Sequence, residues 1–222
     1  MTERLGITVA TLRTFSMFNG IPEDTLQAMA RRAIVRSMAR GATVLHADDG
    51  TDFVYLILSG TLKVLVTDEH GREVIFGILG PGELLGEMGV LDDSTRSATV
   101  VALSSSQLVV IGKGDFRRFL DDNPEISRYV MRNLVQRLRR ADRKIESLAL
   151  LDVYGRVARL LLDMAQSVNG QRVVTQKIAK TDIAKMVGAS REMVSRVMSD
   201  LQHQGLIEQG GGRIVLHERI AA

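Results

Sequence analysis

Thr181-Asp182-Ile183-Ala184-Lys185-Met186-Val187-Gly188-Ala189-Ser190-Arg191-Glu192-Met193-Val194-Ser195-Arg196-Val197-Met198-Ser199-Asp200-Leu201 is the stretch whose reading decides the fold. Ile183, Ala184 and Val187 recur at helical spacing and give one short helix its inner face. Gly188 follows, and glycine takes the left-handed turn there without strain. Ser190 then caps a second helix whose inner face is Val194, Val197 and Leu201. Small Ala184 lets the second helix cross the first closely. Two helices joined by a short glycine-containing turn form a helix-turn-helix, whose second helix enters the major groove by its N-terminus. That brings Ser190, Arg191, Glu192, Ser195 and Arg196 to the bases, with Lys180 just ahead as a further DNA-side group. Arginine binds guanine O6 and N7 bidentately, and glutamate accepts from cytosine N4. An ordinary helical hairpin with a salt-bridged surface is the competing reading, but it needs no glycine, alanine and cap in register. Beyond the second helix, 206–208, Gly210-Gly211-Gly212 and 213–216 form a β-hairpin, the wing of a winged helix.

Charge supports this reading. The net +3 is unevenly spread: residues 153–222 carry +4 and the first 152 carry −1. A basic excess on the segment holding the helix-turn-helix suits a nucleic-acid partner. With 45% apolar and 25% charged residues, the chain has the composition of a globular protein rather than a disordered one. No apolar run reaches the length of a bilayer span, and residues 1–20 lack the pattern of a secretory signal, so a cytoplasmic protein is expected with no membrane partner. The absence of cysteine excludes disulfides, iron–sulfur clusters and cysteine-bound zinc. His46, His70, His203 and His217 are scattered, which suits surface or turn positions better than haem or metal ligation. There is no Gly-x-x-x-x-Gly-Lys-Ser/Thr loop, His-Glu-x-x-His or nucleophile elbow, so no enzyme is expected.

Toward the N-terminus, residues 1 to about 38 read as short helices, one opened by Pro22-Glu23-Asp24 and continuing through Leu26, Met29 and Ala30. Between about 41 and 112, short β-rich runs (42–46, 53–59, 61–66, 73–79, 97–101 and 107–111) alternate with the turn signals Asp49-Gly50, Ser59-Gly60, His70-Gly71 and Gly80-Pro81-Gly82. Many short strands at this spacing suggest a sandwich or jelly roll. Asp122-Asn123-Pro124-Glu125 opens a helix running to about Leu151, long for a globular protein. Leu134, Leu138, Ala141, Ile145 and Leu148 are spaced 4, 3, 4, 3, a heptad seam. One face packed on its own domain would give the same pattern. Arg137, Arg139, Arg140, Arg143 and Lys144 surround the seam, however, and favour a parallel homodimer.

A second informative stretch is Gly86-Glu87-Met88-Gly89-Val90-Leu91-Asp92-Asp93-Ser94-Thr95-Arg96-Ser97-Ala98. Glycine lets backbone approach a ligand, a carboxylate accepts from sugar hydroxyls, and Arg-Ser can clamp a phosphate. Glu and Arg nine residues apart are also what a loop salt bridge looks like. Over nearly its whole length the sequence resembles the bacterial cyclic AMP receptor/FNR family of transcription regulators. The likeness rests on residues 55–64 with Ser59-Gly60, on 86–98, on Leu148-Ala149-Leu150-Leu151-Asp152-Val153 with Gly155-Arg156, and on 188–196. It implies an α+β fold of three parts: an N-terminal double-stranded β-helix (jelly-roll) sensor over 1–123, a dimerisation helix over 124–152 and a winged helix over 153–222. It also implies that Gly86, Glu87, Met88, Arg96, Ser97 and Ala98 form a phosphate-binding cassette, with Glu87 on the ribose 2′-hydroxyl and Arg96 and Ser97 on the cyclic phosphate. Arg191, Glu192 and Arg196 would read a palindromic TGTGA-like site, and RNA polymerase would be a partner of an activator.

One departure touches the ligand. The cyclic AMP receptor carries a Thr-Ser pair on its dimer helix that contacts adenine, and the equivalent positions here are Ala141 and Asp142. Asp142 can accept from the adenine amino group or from guanine N1 and N2. Arg139-Arg140-Ala141-Asp142 also resembles the Arg-x-x-Asp motif that binds cyclic di-GMP, to which some members of the family respond. Arg139 and Asp142, three apart on a helix, equally make an ordinary exposed ion pair. Cyclic AMP, cyclic di-GMP and a ligand-independent regulator thus all stand, with cyclic AMP ahead because the cassette is retained. The loop 166–175, where activators of the family can touch RNA polymerase, gives no clear match.

Overall fold

A computed structural model describes residues 5–217. The chain divides into two compact units, Met1–Gln136 and Arg137–Ala222. The first opens with β1 (Leu5–Gly6), α1 (Val9–Arg13) and α2 (Glu23–Arg32). Glu23 and Asp24 in the first turn of α2 and Arg31 and Arg32 in its last complement the helix dipole. Ala33 then turns extended (φ −90°, ψ 151°) and ends the helix. The sequence reading of helix as far as residue 38 is corrected here: Ile34–Met38 is β2, paired between β1 and β9. Its β-branched Ile34 and Val35 favour the strand, and five residues gain more backbone hydrogen bonds between two neighbours than as an isolated turn.

The β-rich region builds β3 (Thr43–Leu45), β4 (Phe53–Ser59), β5 (Leu62–Thr67), β6 (Glu73–Leu79), β7 (Leu84–Leu85), then helix α3 (Met88–Leu91), β8 (Thr99–Ala102) and β9 (Ser106–Gly112). They form two antiparallel sheets, β1-β2-β9-β4-β7 and β3-β8-β5-β6, stacked as a jelly-roll sandwich. β4 and β9 explain the layering. Tyr55 and Ile57 of β4, with Leu108 and Val110 of β9, face the second sheet and pack with Leu62, Leu79 and Val100. The alternate residues Val54, Leu56, Val109 and Ile111 face a helical layer holding Phe15, Phe18, Leu26 and Phe116. Successive strand side chains point to opposite faces, so strands apolar at every position must be buried on both. The helical layer is completed by α4 (Lys113–Asp122) and by Ile126 and Val130 at the start of α5 (Pro124–Leu150). Neither α4 nor the two-residue β7 was expected from the sequence.

The second unit begins within α5 and continues through α6 (Val153–Met164), β10 (Gln166–Val168), β11 (Gln171–Val174), α7 (Lys180–Val187), α8 (Arg191–His203), β12 (Ile207–Gly210) and β13 (Arg213–Leu216). A four-stranded sheet, β10-β11-β13-β12, lies beside the helices. Its core joins Val157 and Leu161 of α6 to Ile183, Val194, Val197 and Leu201. The region read as a loop over 166–175 is in fact the hairpin β10–β11, turning at Asn169 (φ 51°) and Gly170 (φ 79°). Asn-Gly is a two-residue hairpin signal that accounts for the turn. The expected wing is β12–β13.

Gly60, between β4 and β5, has φ +94°, and a Cβ there would lie 2.1 Å from Ser106 Oγ and 2.6 Å from Ser106 Cα. Both the backbone conformation and the space demand glycine. Gly60→Ala is expected to destabilise the first unit by about 2–4 kcal/mol in urea unfolding. Gly41→Ala, at φ +83° but in open space, should lose only about 1 kcal/mol.

Candidate functional site

The cassette residues of the first unit meet around one buried cation. Arg96 is 5% exposed and Glu87 2%. The Arg96 guanidinium donates from Nη1 to the Gly86 carbonyl (2.7 Å) and from Nη2 to the Phe53 carbonyl (2.6 Å). Its own backbone is held by Asp49, whose carbonyl accepts from Arg96 N, and by Asp48, whose N–H donates to the Arg96 carbonyl (both 2.9 Å). Gly86 lies at φ +78°, and a Cβ there would sit 2.5 Å from Arg96 Nη1. Glycine is therefore what lets the backbone come against the guanidinium. Burial lowers the Arg96 pKa from its ordinary value, while Tyr55, Asp52, Glu87 and Asp49 oppose that shift. Arginine nevertheless stays cationic. Among the described residues, buried Nε of Arg96 meets no hydrogen-bond acceptor.

Beside this cation Glu87 precedes α3, and its carbonyl accepts from Val90 N and Leu91 N. Met88 and Ser97 are exposed, with Ser97 Oγ 4.0 Å from Met88 Sδ, and Ala98 is buried. A desolvated cation with a donor to spare, a bare glycine backbone and an exposed hydroxyl are the chemistry of an anion site. These residues fit a cyclic phosphate.

The cassette is also braced from behind, by residues the sequence did not single out. Thr51 Oγ1 donates to the Ser94 carbonyl at 3.0 Å, and a Cβ on Gly89 would lie 2.5 Å from both of those oxygens. Asp93, at φ 59°, receives Lys113 Nζ at 2.6 Å and Arg117 Nη2 at 2.7 Å. Arg117 also donates from Nε and Nη2 to the Val90 carbonyl at 2.9 and 2.5 Å. The first turns of α4 thus grip both α3 and the turn after it. No short-range pattern links residues 93, 113 and 117, so only the fold reveals the cluster.

In the second unit Gly188 has φ 66° and ψ 49°, and its N–H and that of Ala189 both donate to the Ala184 carbonyl. Ser190 Oγ accepts from Met193 N at 3.1 Å, capping α8. Arg191, Glu192 and Arg196 are exposed; Ser195 is half-buried and receives Lys180 Nζ at 3.2 Å. Met193, which the helix-turn-helix pattern does not assign to the bases, is exposed on the same opening turns. Arg156 braces the motif by donating to the Val187 and Leu151 carbonyls, both at 2.9 Å.

On α5, Arg139, Ala141 and Asp142 are exposed. Of the heptad residues, Leu138, Ile145 and Leu148 are exposed, while Leu134 is half-buried against the core of the first unit. Met131 and Val135, not among those heptad residues, are exposed as well. All four histidines are exposed, and no group of His, Asp and Glu able to hold a metal occurs among the described residues. No helix among them is long and apolar enough to cross a membrane.

A jelly roll with a cation-centred cassette, joined in one chain to a winged helix-turn-helix, defines a DNA-binding transcription regulator with a domain of the cyclic nucleotide-binding type. Residues 35–123 match the model of the cyclic nucleotide-binding domain, and residues 155–221 match that of the Crp-like helix-turn-helix domain. The chain is 32% identical to the CRP-like cAMP-activated global transcriptional regulator of Mycobacterium tuberculosis, over 92% of this chain and 94% of that protein. It is 35% identical to the cAMP-activated global transcriptional regulator Vfr of Pseudomonas aeruginosa, over 87% and 92%. Among solved structures, the c-di-GMP responsive global regulator CLP of Xanthomonas campestris superposes with a TM-score of 0.73 at 26% identity, over 88% and 99%. The chain belongs to the CRP/FNR family of transcription regulators, and these are not enzymes.

Hydrogen bonds from Lys113 and Arg117 hold the Asp93 carboxyl below the usual aspartate range. A depressed carboxyl stabilises the fold at pH above its unfolded value, and that contribution is lost as pH falls through the folded value. An NMR titration is expected to find Asp93 ionising below the ordinary range and moving back toward it in the Lys113→Met/Arg117→Ala double variant.

Proposed function

We propose that this protein is a homodimeric regulator that binds cyclic AMP in the 86–98 cassette and thereby tightens on a palindromic TGTGA-like operator, where it meets RNA polymerase. The observation that carries the reading is the buried Arg96, whose guanidinium is only partly satisfied by carbonyl oxygens. Burying a cation is costly unless it is paired, and an anion entering beside Nε and the Ser97 hydroxyl would complete the pairing. Glu87 takes the ribose hydroxyl in this reading. Sensor, dimerisation helix and winged helix divide as 1–123, 124–152 and 153–222. Ligand against the dimer helix shifts its register or extends it and sets the spacing of the two recognition helices. By linkage, nucleotide and operator strengthen each other's binding equally. The names of the Mycobacterium and Pseudomonas relatives favour cyclic AMP.

Cyclic di-GMP is the second reading, favoured by exposed Arg139 and Asp142 beside Ala141 and by the likeness to CLP. Calorimetry of the purified protein with cyclic AMP, cyclic GMP and cyclic di-GMP separates the two. One cyclic AMP per subunit is expected, together with a gain in operator affinity measured by anisotropy. Binding of cyclic di-GMP alone would select the second reading, and operator affinity indifferent to all three would leave a ligand-independent regulator. Readout is tested separately. Arg191→Ala is expected to lose about 1–3 kcal/mol at the specific site and little on random DNA. Lys177→Ala and Lys185→Ala, at phosphate-contacting positions, should weaken both kinds of DNA alike. Equal losses for Arg191→Ala on both would remove it from base reading.

A further inference from the structure

With ten methionines and no cysteine, the thioether is the sulfur this chain offers to an oxidant. Met17, Met29, Met38, Met186 and Met198 are buried, whereas Met88, Met131 and Met193 stand 46%, 57% and 43% exposed. Met88 is the one of these three that lies in the cassette. It opens α3 directly after buried Glu87, and exposed Ser97 directly follows buried Arg96. The exposed neighbours of the two buried charges touch each other: Ser97 Oγ donates to Met88 Sδ at 4.0 Å. A thioether is a weak acceptor, so this contact yields easily to a stronger one. A serine hydroxyl has a single hydrogen to donate, and whichever acceptor takes it denies it to the other.

We propose that Met88 is an oxidation site, whose sulfoxide holds the Ser97 hydroxyl and thereby weakens cyclic nucleotide binding in the cassette. This rests on the reading above, in which Ser97 donates to the cyclic phosphate. The oxidant is a hydroperoxide, hydrogen peroxide being the simplest. A lone pair on Met88 Sδ attacks one peroxide oxygen and the O–O bond breaks. That oxygen stays on sulfur as S=O, its proton passes to the departing hydroxide, and water leaves. Sulfur is oxidised by two electrons and the peroxide is reduced by two. The new oxygen is a polar acceptor on the atom that Ser97 Oγ already faces. Its partial negative charge also opposes a phosphate approaching the same hydroxyl. Sulfoxide reductases reverse the step, which makes it a switch rather than a lesion.

The test treats the full chain with hydrogen peroxide, locates sulfoxides by peptide mass spectrometry, and measures cyclic AMP affinity by calorimetry before and after. Met88 is expected to oxidise well ahead of the buried methionines. Affinity should fall on the order of tenfold, the loss of one hydrogen bond to a charged group. Treatment with methionine sulfoxide reductases for both epimers should restore it. Met88→Leu, compared only with itself, should change by less than about twofold on oxidation, which separates Met88 from Met131 and Met193. Ser97→Ala, weaker from the outset, should lose less than about threefold further, because the hydroxyl in contention is gone. A Met88 that resists peroxide, an oxidised protein that binds as before, or a full loss in Ser97→Ala or Met88→Leu would overturn the switch while leaving the cyclic AMP reading intact. If the unoxidised protein binds no cyclic AMP, that reading fails and the switch falls with it.

Discussion

A guanidinium taken out of water has to be answered by something nearby, and Arg96 is where that requirement is most acute in this chain. At 5% exposed it relies on the carbonyls of Gly86 and Phe53, reached from two different parts of the sequence. Those two bonds fix the approach of the β7–α3 turn to the start of β4. They also require Gly86 to lack a side chain. The same cluster dictates Thr51 beneath Ser94, the bare Gly89, and the grip of Lys113 and Arg117 on Asp93 and Val90. Carbonyl oxygens bear only partial charge, so the cation stays incompletely compensated.

The second unsatisfied surface is apolar. Met131, Val135, Leu138, Ile145 and Leu148 form a nearly continuous exposed stripe along α5. An α-helix of 27 residues does not hold itself together by local propensity alone. Its start is anchored by Ile126 and Val130 in the sandwich's helical layer. Beyond that anchor the helix carries a hydrophobic face that the described residues leave largely exposed. The first unit has an incompletely compensated charge and α5 an exposed apolar face; each defines by its chemistry what would complete it.

Much of this was legible in the sequence because the signals were local. Gly188 followed by Ser190 marks a left-handed stop and a cap within three residues, and the structure places both there. Phe53–Ser59 and Glu73–Leu79 were read to the residue because β-branched runs were bounded by turn residues. What was missed is non-local or short. β2 follows α2 without a break, so its strand character depends on β9, seventy residues away. The two-residue β7 has no periodicity to read. Leu134 looks identical to Leu138 in a heptad count, yet one leans on the sandwich core and the other faces out. The Asp93 cluster depends on α4 packing behind the cassette, which no spacing announces.

In the homodimer proposed above, two recognition helices read the operator together. One recognition helix with a few base contacts gives modest discrimination, since each good base pair contact contributes only about 1–3 kcal/mol. Two helices held at a fixed separation multiply that discrimination, provided the linkage between them is stiff. Within the second unit, Arg156 ties the Leu151 carbonyl after α5 to the Val187 carbonyl of the reading motif. A flexible tether there would let each motif bind alone and would erase any dependence on the dimer's register. In the proposed dimer, the proposed ligand need not touch the DNA-binding unit. It has only to bind one arrangement of the two α5 helices better than another, and the coupling it exerts can be no larger than that difference.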